Sequence, residues 1–343
     1  MHELAIAAEL LAGEEAYVVG GTVRDELLGR DVWDMDIACP DPERAARALA
    51  GRTDAPLFPL SERHGAWRVA GRDRPSIDFT PLHGTIEDDL ARRDFTINAI
   101  ARPLAGGDAV DPFEGTADLD RGVVRAVGES VFEDDPLRLL RAVRLEAELG
   151  FRIEPRTENL IRDHASLVAK PAGERILDEL RRLPIAGWTR LDDLGLLEPL
   201  GGSLAHAARA AAVDSPNYRL VVFLQDSVGV LPISRELRRL AVALLRKPLP
   251  VDGSPRSIHR FRRDTEPWSL EALAFHGRDD LREAVLAARR DEPVEPLLRG
   301  DELGLPPGPQ IGTLLEVIAE ERAAGTISTR EEALELVRRH AAD

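Results

Sequence analysis

The sequence is poor in cysteine and in long apolar runs, and each scarcity excludes a class of protein. Cys39 is the single cysteine, which excludes a disulfide framework and a zinc site built from several cysteines. No apolar run approaches the roughly 20 residues that a membrane helix needs, and the first residues lack the basic and apolar regions of a signal peptide. We therefore expect a soluble, cytoplasmic protein without a membrane partner.

Lysine is also scarce, so nearly all positive charge comes from arginine. Lys170 and Lys247 are the only lysines among 45 basic residues, and 61 acidic residues bring the formal net charge to −16. This net negative charge argues against nonspecific nucleic-acid binding, which usually requires a basic surface. Contact with phosphates would therefore depend on local groups of arginines, whose planar guanidinium suits phosphates and base edges.

The pattern of apolar residues changes near Pro136. Before it, short β-rich runs alternate with helical patterns; beyond it, apolar residues recur at helical spacing and strand patterns almost vanish. The predicted strands cover residues 17–19, 33–38, 67–70 and 76–80. The length of 343 residues suggests about two or three domains. We therefore predict an α+β fold, with an N-terminal α/β head followed by an all-helical remainder.

Two features of the head favour metal-assisted phosphoryl transfer. Asp34 and Asp36 lie at positions i and i+2 of a predicted strand, so both carboxylates project from one face and would repel without a hard cation such as Mg²⁺. Gly20 and Gly21 precede a helix start, where close backbone approach and free N–H groups suit a phosphate, and Arg24 lies one turn further on. Either feature alone also fits an ordinary strand face or turn, but their order is the one expected for this chemistry.

Two further segments of the head have both a functional and a structural interpretation. Asp78, on another predicted strand, could hold a second metal ion or accept a proton from an attacking hydroxyl; the alternative is an edge-strand acid without a catalytic role. The segment 92–98 (RRDFTIN) places Arg93 where it could contact a triphosphate. The alternative for this segment is a salt-bridged helix start.

The segment 134–144 predicts an amphipathic helix with a basic face. Asp135 fits the cap of a helix whose first turn holds a proline. Arg138, Arg141 and Arg144 recur every three residues and share one face, while apolar residues fill the other. Arginines gathered on one face repel each other unless an anion meets them, although a solvated basic face has the same pattern.

Asp135 and Arg138 suit the selection of a base. Three residues apart at a helix start, they can face one flat ligand, to which the aspartate offers acceptors and the arginine donors. Cytosine and adenine each present an amino donor beside a ring acceptor, whereas uracil and guanine present an acceptor beside a ring N–H. Because a bidentate match is worth ~1–3 kcal/mol of discrimination, the pair could select C and A without a template strand.

Together these segments resemble the bacterial tRNA nucleotidyltransferase and poly(A) polymerase family, the class II CCA-adding enzymes. The segments that carry the resemblance occur in the family's order: 20–25 (GGTVRD), 34–36 (DMD), 92–99 (RRDFTINA), 111–115 (DPFEG), 135–138 (DPLR) and 174–180 (ERILDEL). The resemblance implies a polymerase-β-like catalytic head with a mixed sheet, followed by a helical neck, body and tail. The corresponding ranges are 1–130 for the head, 131–190 for the neck, 191–265 for the body and 266–343 for the tRNA-contacting tail.

The resemblance also implies a role for each candidate residue. Asp34 and Asp36 would hold Mg²⁺. The remaining assignments are triphosphate binding by Gly20, Gly21, Arg24 and Arg93, and binding of the incoming nucleotide by Asp135, Arg138, Arg141 and Arg144. The implied reaction adds nucleotides from CTP or ATP to the 3′ end of tRNA by two-metal-ion phosphoryl transfer and releases pyrophosphate.

The densest positive region of the chain, residues 235–263, is a candidate for contact with the tRNA backbone. The candidates in this region are Arg256, Arg260, Arg262 and Arg263. A solvated basic face is the alternative interpretation.

The connection between Asp78 and Arg92 departs from the family pattern, because it contains only 13 residues, Phe79–Ala91. The resemblance implies a longer flexible loop here in full CCA-adding relatives, tied to the switch from CMP to AMP, and its loss in relatives that add only the two cytidines. We therefore predict CC addition, with a separate A-adding enzyme in the same cell. The alternatives are full CCA addition, poly(A) polymerase, a small-molecule nucleotidyltransferase and a non-catalytic RNA-binding protein.

Overall fold

The computed structural model describes residues 2–61, 65–71 and 75–340 and divides into two compact units, Met1–Leu200 and Gly201–Asp343. The predicted head and neck fall in the first unit and the predicted tail in the second, while the predicted body spans the point of division. The described strands of the first unit are β1 (Tyr17–Val19), β2 (Asp34–Cys39), β3 (Leu57–Ser61), β4 (Ala66–Val69), β5 (Ser76–Pro81), β6 (Ala101–Pro103), β7 (Val123–Val124) and β8 (Arg152–Ile153).

Six of these strands form a mixed sheet in the order β3-β4-β5-β2-β1-β6. The pairing of β2 with β5 is parallel and the other pairings are antiparallel. The mixed sheet of the predicted head is therefore confirmed. The sequence did not predict β3 and β6, because β6 has three residues and β3 contains Pro59, a residue that sheets tolerate mainly at an edge.

The helices of the first unit connect these strands and continue beyond them. They are α1 (His2–Leu10), α2 (Gly21–Leu27), α3 (Pro42–Thr53), α4 (Ile86–Ala91), α5 (Gly115–Arg121), α6 (Val131–Asp134), α7 (Arg138–Leu149), α8 (Pro155–Asp163), α9 (Gly173–Arg182) and α10 (Ile185–Asp193). The all-helical remainder predicted beyond Pro136 is confirmed apart from β8, which pairs in parallel with β7.

The alternation of β2 places the aspartates on one face of the sheet. Met35 and Ile37 are buried on the other face, and α3 packs against β2, β4 and β5. Burying one such aliphatic side chain stabilises the fold by ~1.5–3 kcal/mol. On the aspartate face, Ala38 belongs to a buried cluster with Ile86 and Leu90 of α4. The core therefore fixes β2 from both sides and leaves only its first residues open.

Asp135 caps the turn that leads into α7, whereas α7 itself begins at Arg138 after Leu137 and has no side-chain cap. The Leu137 N–H donates to Asp135 Oδ1 at 3.2 Å, and Arg138 N–H donates to the Asp135 carbonyl at 3.0 Å. Burial of Leu139, Leu140 and Val143 confirms the apolar face. Asp135 and Arg138 are thus fixed at the root of one helix, as the sequence predicts.

The described part of the second unit is helical. Its helices are α11 (Pro216–Leu224), α12 (Arg235–Leu245), α13 (Pro255–Thr265), α14 (Ser269–His276), α15 (Arg282–Arg290), α16 (Pro309–Ala323) and α17 (Arg330–His340). A buried cluster that includes Leu298, Ile318 and Val337 joins α16 and α17. Among the described residues, no helix has the length and apolarity needed to cross a membrane.

Candidate active site

A cleft of about 620 Å³ in the first unit brings together all but one of the predicted catalytic and nucleotide-binding residues. The predicted residues that line it are Gly20, Gly21, Arg24, Asp34, Asp36, Arg93, Asp135, Arg138, Arg141 and Arg144. The paired aspartates and the acid–arginine pair of the helix root therefore share one cavity. Asp78 is the one predicted residue of the head that is not among the lining residues.

The paired aspartates are fixed by backbone contacts with α2. Thr22 Oγ1 accepts the Asp36 N–H at 2.9 Å and donates to the Asp34 carbonyl at 3.3 Å. The side chain of Asp34 is 65% exposed, whereas Asp36 lies deeper. Burial, followed by the charge of Asp78, raises the pKa of Asp36 to about 6, although Arg93 opposes the shift. The carboxylates thus form a concentrated negative charge that a cation would relieve.

Gly20 packs closely against the side chains of Arg93 and Asp36 in a backbone conformation that favours glycine. Its φ is +70°, and a Cβ at this position would lie 2.8 Å from Arg93 Nη1 and 3.5 Å from Asp36 Oδ2. Glycine adopts this left-handed conformation without the strain that other residues incur. The glycine therefore allows Arg93 and Asp36 to approach the same point of the cleft.

The two arginines predicted to bind a triphosphate are held by neighbouring side chains. Arg24 donates to both oxygens of Asp25, at 2.9 and 2.8 Å, and to Asn98 Oδ1 at 2.8 Å. Arg93 donates to Asp89 Oδ2 at 3.0 Å. Since each guanidinium carries five N–H donors, both keep donors for an anion in the cleft.

The two later arginines of α7 meet carboxylates of the protein, of which Asp94 and Glu179 are buried. Arg141 donates to Asp94 Oδ2 through Nε at 2.8 Å and lies 2.7 Å from it through Nη2. Arg144 donates at 2.6 Å to both Glu179 and Glu148. The spacing correctly predicted a shared helix face that lines the cleft. The arginines of this face, however, mainly contact carboxylates of the protein.

Asp94 is held in its ionised form. Burial alone would raise the pKa of its carboxyl group. The charge of Arg141 and hydrogen bonds from Asn98, Arg141 and Phe95 outweigh that effect and hold the pKa at about 2. The corresponding distances from Asp94 Oδ1 are 3.0 Å to Asn98 Nδ2 and 2.8 Å to the Phe95 nitrogen. Asn98 also accepts from Arg24, so side-chain contacts run from the predicted triphosphate arginine to α7.

Asp135 of the predicted base-selecting pair has a partner that the sequence did not indicate. Arg175, at the start of α9, donates to the two oxygens of Asp135 at 3.2 and 2.7 Å. Arg138 donates to the carbonyls of Val131 and Arg92, at 3.2 and 2.7 Å. Other cleft residues without a role predicted from the sequence include Asp31, Trp33, Arg92 and Arg182. Arg175 lies in the ERILDEL segment, and the presence of this segment among those that carry the family resemblance could have indicated a role for Arg175 in the site.

The donor set of the cleft fits Mg²⁺. Among residues 2–61, 65–71 and 75–340, no group of three or more His, Cys, Asp or Glu is placed to hold a metal ion. Mg²⁺ commonly uses one or two carboxylates and completes its octahedron with waters and substrate phosphates. Asp34 and Asp36, side by side at the open start of β2, meet this requirement.

The arginines predicted to contact tRNA pair with carboxylates of the second unit. Arg260 donates to both oxygens of Glu320, at 2.8 and 2.5 Å, and thereby joins α13 to α16. The other pairings are Arg256 with Glu320 and Glu321, Arg262 with Glu266 and Glu292, and Arg263 with Asp264 and Glu316. These contacts favour a role in holding the helices together.

Comparison with known proteins agrees with the fold. The model of the Poly A polymerase head domain matches residues 16–83 and 67–125, and that of the probable RNA and SrmB-binding site of polymerase A matches residues 150–205. The A-adding tRNA nucleotidyltransferase of Deinococcus radiodurans is 35% identical over 95% of both chains. The CC-adding tRNA nucleotidyltransferase of Geobacter sulfurreducens is 34% identical over 94% of this chain and 91% of the relative.

A solved structure shows the same architecture. The Thermotoga maritima CCA-adding enzyme, in complex with tRNA, matches with a TM-score of 0.74 and 25% identity over 98% of this chain and 95% of that one. A mixed sheet that carries a paired-aspartate cleft and continues into helices defines a nucleotidyltransferase. The chain belongs to the tRNA nucleotidyltransferase and poly(A) polymerase family, and the predicted resemblance is confirmed.

Proposed function

We propose that the chain adds CMP from CTP to the 3′ end of tRNA and builds the two cytidines of the CCA end without a template. One observation carries the proposal: a single cleft holds both the Asp34–Asp36 pair and the Asp135–Arg138 pair. In the reaction, the RNA 3′-hydroxyl oxygen bonds to the α-phosphorus of CTP, the bond from that phosphorus to the bridging oxygen breaks, and pyrophosphate leaves. Mg²⁺, held by the two aspartates, would supply Lewis-acid stabilisation of charge on the phosphates.

Arg24 and Arg93 bind the triphosphate in this proposal. Their positions are fixed before substrate arrives, because Asp25, Asn98 and Asp89 already hold the two guanidinium groups. Charge-assisted hydrogen bonds from arginine to phosphate are among the stronger contacts in proteins. The arginines also place positive charge where the leaving pyrophosphate gains negative charge.

Asp135 and Arg138 read the base. The carboxylate of Asp135 accepts from Leu137 and twice from Arg175, so of its roughly four lone-pair sites one remains, on Oδ2, for an amino group. Arg138 uses two of its five N–H groups on backbone carbonyls and keeps three. One free acceptor beside free donors is the complement of the amino edge of cytosine.

Asp135→Asn is expected to weaken base discrimination. The amide replaces one acceptor oxygen by a donor and breaks the match to the amino edge of cytosine. We therefore expect the ratio of kcat/KM for CTP over UTP to fall about tenfold or more, because a bidentate base contact contributes ~1–3 kcal/mol of discrimination. Single-nucleotide incorporation with each nucleotide measures the ratio. Asp31→Asn, which neutralises another exposed acid in the same cleft, is the matched control. An unchanged ratio in Asp135→Asn would contradict the proposed reading.

The connection between β5 and α4 supports the restriction to CMP. Only residues 82–85 separate the two elements. Leu82 N–H donates to the Cys39 carbonyl, and the Thr85 side chain and Asp88 form a reciprocal cap at the start of α4. So short and fixed a connection leaves no room for the flexible loop that, by the family resemblance, full CCA-adding enzymes use to switch to AMP.

Addition of a single A is a second candidate function, and the 35% identity to an A-adding relative favours it. Both candidates use the same cleft, and adenine presents an amino group beside a ring acceptor as cytosine does. They differ in the acceptor end and in the nucleotide. They are therefore separated by substrate choice and not by the metal site.

Incubation of two tRNA transcripts with single nucleotides tests the proposal. One transcript lacks the whole CCA end and the other ends in CC. We expect CTP alone to add two residues to the first and none to the second, and ATP alone to add none to either. Addition of one A to the transcript ending in CC, without addition of C to the first transcript, would instead establish the A-adding alternative, and both additions together would indicate full CCA addition. Long A tails would indicate a poly(A) polymerase, and no incorporation at all a non-catalytic RNA-binding protein.

Contact with tRNA is also part of the proposal. In the second unit, Arg235 and Arg238 of α12 are exposed, and within the described residues neither has a carboxylate partner. These two arginines are thus better placed for a phosphate backbone than Arg256, Arg260, Arg262 and Arg263, whose guanidinium groups would first have to leave the glutamates and aspartate that bind them.

A further inference from the structure

Three charged residues lie in one row across the sheet. Asp36 of β2 is the direct cross-strand partner of Asp78 on β5, and Asp78 is the direct partner of Arg68 on β4. Side chains opposite each other in neighbouring strands project from the same face and interact. Asp34, two residues before Asp36, belongs to the same face. The sheet therefore gathers three carboxylates and one guanidinium around the start of β2.

The guanidinium of Arg68 contacts two of these carboxylates. Its Nε donates to Asp78 Oδ1 at 2.6 Å and its Nη2 to Asp78 Oδ2 at 2.7 Å. The same Nη2 lies 3.3 Å from Asp34 Oδ1. Asp78 is only 8% exposed. The arginine fork therefore occupies both oxygens of the buried acid and also reaches the exposed aspartate of the cleft.

We propose that Arg68 is a positioning residue that decides how many carboxylates take part in metal binding. By holding both oxygens of Asp78, it keeps that acid out of the coordination sphere and leaves Asp34 and Asp36 as the protein ligands. Its positive charge beside Asp34 also weakens the attraction of the site for a cation. The open positions of the metal are thereby kept for substrate oxygens and water.

The inference rests on the proposed metal pair and assigns Asp78 a definite role. Asp78 neither holds a second metal ion nor accepts a proton, because the bidentate guanidinium contact engages each of its oxygens and holds the buried carboxylate towards Arg68. The acid instead anchors Arg68 across the strands. Without Arg68, a third carboxylate on the same face becomes available to the ion, and the local charge becomes more negative by one.

Mn²⁺ binding to the full-length chain, measured by electron paramagnetic resonance without nucleotide, tests the inference. Arg68→Met is expected to bind Mn²⁺ about tenfold more tightly than wild type. At short range, the loss of one positive charge can change the free energy of cation binding by more than a tenfold change in affinity requires. We also expect the bound ion to lose about one water, counted by spin-echo modulation in deuterated water, since Asp78 takes that position. Arg68→Lys, which keeps the charge without the fork, should give a smaller increase.

The double variant Arg68→Met with Asp78→Asn separates the inference from a general change in the fold. Asp78→Asn removes the carboxylate that Arg68→Met releases. The Mn²⁺ affinity of the double variant and the number of waters on the ion should therefore return to near those of wild type. An unchanged affinity in Arg68→Met, or an equal gain in the double variant, would overturn the inference. Asp36→Asn is measured alongside. If this variant still binds Mn²⁺ as wild type does, the proposed metal pair itself is wrong, which is a different failure.

Discussion

Asp36→Asn is expected to reduce CMP incorporation by about 10³-fold or more. The substitution removes one of the two carboxylates that would hold the ion, and metal stabilisation of transition-state charge is worth several kcal/mol. Asp36 is also the carboxylate that faces Gly20 and Arg93 at the bottom of the cleft. Single-turnover incorporation from CTP on a tRNA that lacks its CCA end measures the effect.

The fold of this variant is expected to survive. Asp36 lies next to Asp78 and near Asp34, so a neutral amide of the same size removes repulsion between like charges. We expect the thermal melting temperature to stay unchanged or to rise. Asp31→Asn serves as the activity control, because Asp31 lines the same cleft but has no place in the proposed mechanism. Wild-type incorporation by Asp36→Asn would eliminate the paired-aspartate site.

The sequence predicted those parts of the site that depend on local geometry. Asp34 and Asp36 share a face because strand residues alternate, and Asp135 caps the turn before α7, where Pro136 follows it. Both facts involve neighbours along the chain. The α/β head and the helical remainder could be predicted for the same reason, since hydrophobic periodicity is also a local property; the mixed sheet was implied by the family resemblance.

The partners of the charged residues could not be predicted in the same way. The pairing of Arg175 with Asp135 joins residues 40 positions apart, and that of Arg141 with Asp94 spans 47. Helical spacing tells which residues share a face, but only the tertiary packing decides what the face meets. The same limit applies to Arg260, which was predicted to contact tRNA and which pairs with Glu320, 60 residues further along.

Breaking the Asp94–Arg141 pair is expected to lower the free energy of unfolding markedly. Asp94→Ala leaves the guanidinium of Arg141 without its main partner and removes the acceptor for Asn98 and for the Phe95 N–H. Breaking a buried ion pair from one side costs ~3–5 kcal/mol. Because the Arg141 side chain is 35% exposed, water can solvate part of its charge, and we expect about 3 kcal/mol. Urea unfolding followed by circular dichroism measures the loss.

An exposed pair provides the matched control. Glu43 and Arg47 form an ion pair one helical turn apart on the surface of α3, and such pairs contribute only ~0.3–0.5 kcal/mol. Glu43→Ala should therefore shift the unfolding midpoint little. The double variant Asp94→Asn with Arg141→Met should lose less than the sum of the two single losses, because neither partner is then left charged and alone. Strictly additive losses would show that the two residues do not act as a pair.

The same pair predicts how stability depends on pH. The pKa of Asp94 is about 2 in the folded chain, below the ~3.9 of an unfolded aspartate. Its ionised form is therefore stabilised by folding. This contribution is fully present above about pH 4 and is lost as the pH falls towards 2. The difference in unfolding free energy between wild type and Asp94→Asn should consequently shrink over that interval. A difference that stays constant down to pH 2 would mean that Asp94 is not held ionised by Arg141.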